Sequence, residues 1–198
     1  SIALMQLWER GSFNLDDALA DYIPAFADMR VLKSEATDIK DTEPAANPIK
    51  VKHILSHTAG LSYGFLEPEG IIDRAYNQAA INPMLPGSSM TLESFCESLG
   101  NLPLAYHPGT FWRYSFATDV CARLVEVLSG LTFDDYLKNY IFNPLSMLDT
   151  DFYVPPEKLD RFTTMFLPDD PMNPMSPCPT PMDKPSTTSN GELPTFLS

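Results

Sequence analysis

The sequence predicts a mainly α-helical fold with a few short strands, and three observations carry that expectation. Apolar residues recur at helical spacing in several separate runs, as in Ala117, Val120, Cys121, Leu124, Val127 and Leu128. Helix-start residues stand just before such runs: Thr91 precedes Leu92, and Thr132 with Asp135 has the capping-box form. Glycines stand where runs end, at Gly11, Gly60, Gly100 and Gly130.

Taken in order, residues 2–10 read as a helix with Ile2, Leu4, Met5 and Trp8 near helical spacing and Gly11 as its stop. A short helix follows, started by Asn14 to Asp17 and ended by Pro24. Residues 27–50 are polar and irregular, with one short strand at Met29–Leu32, and Pro44 and Pro48 keep the approach to the next helix extended. That next helix is VKHILSHTAGL, closed at Gly60. A turn-rich loop leads to a helix over about 70–80, and a second loop to the helix capped by Thr91 and stopped by Gly100. After Gly130 the capping box opens a helix to about Tyr140, and a strand is expected at Thr150–Val154. From Pro155 prolines crowd in, so 155–198 is an irregular segment set apart from the helical region 1–154.

Bulk properties exclude some classes of partner. A net charge of −13 and a pI near 4.4 argue against nucleic acid and anionic membrane surfaces. No apolar run approaches the roughly 20 residues of a membrane span. Cys96 and Cys121 fall on apolar helical positions, which reads as buried free thiols; Cys178 stands alone in the proline-rich segment.

His53 and His57 sit four apart, on one face of that helix. A shared zinc ion is one reading, but Ile54 stands where the zincin pattern needs Glu, and nothing orders His107 as a third ligand. The better reading puts His57 in the last turn, donating to free carbonyls and suiting the helix dipole. No metal is expected.

The stretch HPGTFWRYSFATDVCARLVEVLSG, from His107 to Gly130, joins a Pro-Gly turn, an aromatic run and an amphipathic helix. Its apolar face is the one named above; Asp119, Arg123 and Glu126 take the other. Tyr114 and Ser115 stand at the junction. A tyrosine there can be a core anchor, a ligand contact or a proton-transfer group.

Four pieces occur in order: ALMQLWERGSFNLDDALADYIPAF, IKVKHILSHTAGL, the stretch just described, and NPLSMLDTDFYVP. Together they resemble the serine β-lactamase and penicillin-binding-protein superfamily, in particular its β-lactamase-like carboxylesterase (family VIII-type) branch. In that family the nucleophile is the Ser of an S-x-x-K motif. A second motif, Y-x-N or Y-S, supplies a Tyr that acts with the Lys as base, and a K-T-G-type motif lies beside the oxyanion site. The resemblance implies that Tyr114 is the second-motif tyrosine, with Ser115 after it as in the Y-S esterases. Phe116 stands where the β-lactamases keep Asn, which favours an apolar, ester-binding pocket. Ser115 and Phe116 are thus expected beside the substrate.

No S-x-x-K occurs among the 198 residues, and His57-Thr58-Ala59-Gly60 matches H-T-G only in letters, since it precedes Tyr114. The chain is therefore expected to be an internal fragment: the helical insert of an α/β plus all-α fold, with nucleophile and closing strands outside it. An isolated Tyr, with its pKa near 10, is about one part in a thousand phenolate at pH 7 and needs a nearby cation to act as a base. The implied parent protein is a serine hydrolase that needs no cofactor and transfers acyl groups of a small ester or amide through an acyl-enzyme. The fragment alone is expected to be inactive. The alternatives are a β-lactamase, a D-Ala-D-Ala peptidase, or a relative that only binds a ligand or partner. Self-association is expected through apolar faces such as that of helix 2–10. Compartment stays open.

Overall fold

In the computed structural model the described residues are 1–79, 81, 90–163, 166–167 and 176–177. They build a mainly helical body around α5 (Ala117–Ser129), which packs against α1 (Ile2–Glu9), α2 (Val51–Leu55), α4 (Leu92–Gly100) and α6 (Phe133–Leu137). The last helix, α3 (Ile71–Gln78), adds Ile72 and Tyr76 to the same apolar core. A helix with neighbours on four sides must be apolar on most of its circumference. Accordingly Ala117, Val120, Cys121, Ala122, Leu124 and Val125 are all buried. Gly130 ends α5 in the left-handed conformation, and Gly11 ends α1 the same way.

That crowding corrects two positions on α5. Asp119, expected on the wet face, is only 4% exposed, whereas Val127, expected in the core, is 39% exposed. The wet stripe is narrow and belongs to Arg123, which pairs with Glu93 and Glu126. On α1 the buried residues are Ala3, Leu4 and Leu7; Ile2 and Trp8 point outward. The expected helix stands, turned by part of a turn.

The helix expected from Asn14 to Pro24 is not there. Two short 3₁₀ turns, Leu19–Asp21 and Pro24–Phe26, replace it. The reason is non-local pairing. Leu19 N–H donates to Ile49 O at 2.8 Å, Val51 N–H to Asp17 O at 3.1 Å and Lys52 N–H to Leu15 O at 2.9 Å. The Asp17 carboxylate accepts from Asn14 N–H and the Tyr22 hydroxyl, which holds the turn that opens the segment.

A strand forms at β1 (Arg30–Leu32), within the expected span. It pairs antiparallel with β2 (Thr42–Pro44), Val31 opposite Glu43. Leu104 adds a parallel bridge on its other edge: Leu32 N–H donates to Leu104 O, and Leu104 N–H to Arg30 O. The strand expected at Thr150–Val154 is absent. Asp149 there binds Lys158 and Arg161 of a 3₁₀ turn, Pro156–Arg161, and the chain bends instead of pairing. Two-residue strands β3 (Phe166–Leu167) and β4 (Ser176–Pro177) pair with each other; the rest of the expected irregular segment beyond 163, Cys178 included, lies outside the described residues.

Two helix ends also differ. Thr91 caps α4 as expected, accepting from Ser94 N–H at 3.1 Å, but Gly100 is its last residue and not its stop. A Cβ at Gly100 would stand 2.3 Å from Ala25 O, so the glycine serves a close approach between α4 and the 24–26 turn. Thr132 caps α6, accepting from Asp135 N–H. Past Leu137 the helix widens into a π turn over Lys138–Phe142, with Asn143 N–H donating to Lys138 O.

Helix α2 ends at Leu55, well before Gly60. His57 lies beyond it with φ 54°, in the left-handed region. It therefore shares no helix face with His53 and donates to no last-turn carbonyl. His53 instead serves the other end of α2. Its Nδ1 accepts from Lys50 N–H at 3.1 Å, closing the start of the helix as a capping-box Glu would.

Candidate functional site

The strip 57–62, between α2 and α3, is the backbone on which the site is hung. Four amides of the 105–116 segment donate to it: Ala105 to Gly60 O (2.7 Å), Gly109 to Thr58 O (2.8 Å), Arg113 to His57 O (2.9 Å) and Phe116 to Ser62 O (3.2 Å). Gly60 permits this closeness. Its φ is +87°, and a Cβ there would stand 2.2 Å from Tyr106 O.

Along this segment the side chains part. Arg113 is 9% exposed, Ser115 1% and Phe116 2%, while Tyr114 between them is 42% exposed. Extended backbone explains the alternation around Tyr114. Arg113 turns inward to a buried network. Its Nε donates to Ser62 Oγ at 2.9 Å, its guanidinium meets the Asp73 carboxylate at 3.2 Å, and Ser62 Oγ donates to Asp73 at 2.5 Å. The other Asp73 oxygen accepts from Glu67 N–H at 2.7 Å.

Ser115, expected beside a ligand, is turned to His57, its Oγ 3.3 Å from His57 Nδ1. Phe116, also expected there, is a core side chain among Tyr63, Tyr76 and Phe95, with ring centroids at 4.5, 6.2 and 5.1 Å. Both positions sit immediately behind the surface that Tyr114 occupies, because the start of α5 draws them into the core.

The Tyr114 ring packs against two others, His57 with centroids 5.0 Å apart and Tyr63 at 4.8 Å. Trp112 lies edge-on to His57 at 6.3 Å, and Phe65 packs on Tyr63 at 5.0 Å. Trp112 and Phe65 are well exposed, so the surface around the phenol is aromatic; Phe111, also exposed, packs instead on Tyr106 at 5.1 Å. An open cleft of about 520 Å³ on the far side of Arg113 is lined by Leu32, Glu67, Tyr106, His107 and Phe111; Tyr114 is not part of its wall.

Burial lowers the pKa of His57 from 6.5, so near neutral pH its imidazole is uncharged. Burial, with Lys52 and Lys50 nearby, does the same to His53. Asp119, in the first turn of α5, is pushed up to about 6 by burial, and its Oδ2 has no hydrogen-bond partner among the described residues. Among the described residues no group of three His, Cys, Asp or Glu side chains is placed to hold a metal ion.

Of the three residues singled out from sequence, only Tyr114 reaches solvent. The residues that sequence reasoning missed are His57, Tyr63, Ser62 and Asp73. Helical periodicity pointed away from His57, since it extended α2 by five residues. Ser62 and Asp73 carried a faint signal as polar residues beside apolar Leu61 and Ile72.

A family model described as Beta-lactamase matches residues 1–190. The chain is similar to a lovastatin esterase of Penicillium rubens, with 35% identity over 154 residues, 77% of this chain and 37% of the esterase. Among solved structures it is similar to EstCE1, a hydrolase with promiscuous acyltransferase activity (TM-score 0.74, 25% identity, 98% of this chain and 50% of that one). It is similar also to the simvastatin synthase LovD of Aspergillus terreus (TM-score 0.68, 27% identity, 90% of this chain and 43% of that one). The chain thus spans half or less of the length of each of these relatives.

Proposed function

The chain belongs to the Beta-lactamase family, and on that footing we propose that it is the helical part of a serine hydrolase that transfers acyl groups of small esters. The names of its relatives, an esterase, a hydrolase with acyltransferase activity and a synthase, support ester chemistry over lactam chemistry. One observation of the site carries the reading. Within residues 113–116 Tyr114 is the exposed side chain, and its ring packs on both His57 and Tyr63, which is how a group that must meet a substrate is presented.

In this reading a serine outside residues 1–198 attacks the ester carbonyl. Tyr114, acting with a lysine from the same outside motif, takes the serine proton and later returns it to the leaving alcohol. The acyl-serine ester is then opened by water, or by a second alcohol in transesterification. Tyr114 needs that lysine because a phenol becomes a base only beside a cation. The nearest cation in sequence, Arg113, is committed to Asp73 and Glu67. Ser115 and Phe116 shape the site from behind, through His57 and Tyr63. Residues 155–198 then lead from the helical region toward the α/β part of the fold.

The test compares this chain with a protein extended at both ends to include the nucleophile, using a short-chain p-nitrophenyl ester and a chromogenic cephalosporin. Ester turnover by the extended protein alone, lost on Tyr114→Phe, is the expected result. Equal turnover by the 198-residue chain would sink the placement of the nucleophile. Faster turnover of the cephalosporin than of the ester would favour a β-lactamase.

A further inference from the structure

We infer that His57 is a positioning residue for Tyr114: its imidazole, packed on the phenol and bonded to Ser115, fixes the direction in which the phenol meets substrate. The inference rests on the base reading of Tyr114 and goes beyond it, because His57 lies 57 positions earlier, on another loop.

Three observations converge on it. First, His57 holds a left-handed backbone, φ 54°, uncommon for a residue other than glycine, and it turns the chain out of the line of helix α2. Second, the residue is tied to the Tyr114 segment at both ends. Its carbonyl accepts from Arg113 N–H at 2.9 Å, and its Nδ1 shares a hydrogen bond with Ser115 Oγ at 3.3 Å. The two ties fall on the residues immediately before and after Tyr114. Third, the imidazole between those ties lies against the phenol ring, 5.0 Å between centroids, and Tyr63 packs on the same ring at 4.8 Å. Nothing in helix α2 needs this arrangement, since α2 ends at Leu55.

A charged imidazole would serve this purpose badly, as it would have to be desolvated beside aromatic rings. The groups around His57 are the Ser115 hydroxyl and the Tyr114 and Trp112 rings, and burial is the cause acting on its pKa. Burial thus favours the neutral imidazole. It neither attacks nor accepts the serine proton; Ser115, 1% exposed, is likewise no nucleophile.

The test uses the full-length protein and His57→Asn. Asparagine tolerates a left-handed backbone and keeps a short polar group toward Ser115, so the variant removes mainly the ring. With a p-nitrophenyl ester, kcat is expected to fall about tenfold or more while KM stays within about threefold, the signature of a misaimed group. Ser115→Ala, which keeps the ring and loses only the hydrogen bond, is expected to cost less in kcat. If His57→Asn turns over within about twofold of the parent while Tyr114→Phe is dead, the inference falls and the base reading stands. If Tyr114→Phe is itself active, the base reading falls. A measurement on the unsubstituted protein covers failure of the variant to fold. In protein labelled on its tyrosine rings, Tyr114 ring resonances should shift with the His57 titration, at a midpoint below 6.5. Tyr114 resonances that stay still through that titration would overturn the inference.

Discussion

The Arg113 guanidinium and the Asp73 carboxylate meet at 3.2 Å inside the protein, with Asp73 1% and Arg113 9% exposed. Their positions are 40 apart, and the pair fastens α3 to the segment that carries Tyr114. Removing one partner leaves the other charge buried and uncompensated, a loss of about 3–5 kcal/mol. Asp73→Ala should therefore lower the urea midpoint far more than Glu67→Ala, since Glu67 is largely exposed and its bond to Arg113 is screened. Equal midpoints for the two variants would contradict the assignment.

Asp119 makes stability depend on pH in the direction opposite to most carboxylates. Its folded pKa is about 6 against an ordinary 3.8, so the folded chain binds the proton more tightly than the unfolded one. Stability is thus fullest below about pH 4 as far as this group is concerned. It declines as pH rises to about 6, by on the order of 3 kcal/mol. Because His53 and His57, with lowered pKa values, act in the opposite direction over the same range, the readout is a difference: in urea titrations at pH 4, 5, 6 and 7 the parent should lose stability relative to Asp119→Asn as pH rises. Parallel curves would mean that Asp119 is ionised and satisfied.

Gly60→Ala should destabilise by about 2 kcal/mol or more, because the new Cβ meets Tyr106 O and the backbone is left-handed. Thermal unfolding measures it. Gly11→Ala is the comparison, since that glycine shares a positive φ but has open space around it; its loss should be smaller.

Cys96 and Cys121 are free and buried, and burial pushes both thiols up, Cys121 to about 12. In a Cys178→Ser chain, Ellman's reagent should find almost no reactive thiol until denaturant is added. Rapid reaction in buffer would show that α4 and α5 separate readily.

Ile2, Trp8, Phe111 and Trp112 are exposed on the isolated chain. We expect it to self-associate at micromolar concentrations, and light scattering decides: a clean monomer would count against it. Ile2→Ser with Trp8→Gln should reduce the association if α1 is the surface involved.

The parts of the fold that could be read in advance are those decided locally. Helices α3 to α6 follow from period and caps within about ten residues of chain, and Val31 lies within the expected strand. Residues 14–24 failed because the backbone of Leu15, Asp17 and Leu19 pairs with residues 49–52, an arrangement with no local trace. Asp119 failed because a count of polar positions cannot know that α5 has neighbours on four sides. At the site, Tyr114 was reachable only through the resemblance. The clamp around it was not, since His57 looked like one more helical residue until its backbone turned left-handed.

The four amides that tie 105–116 to the strip 57–62 join segments roughly 50 residues apart. Hydrogen bonds of that span cannot form one at a time as a helix grows; they close together, once both loops are seated on α5. The amides of Ala105, Gly109, Arg113 and Phe116 should therefore exchange with deuterium as a single cooperative unit, slower than the neighbouring Thr110 turn. Tyr114 itself is then a surface residue mounted on backbone that four long-range hydrogen bonds hold in place.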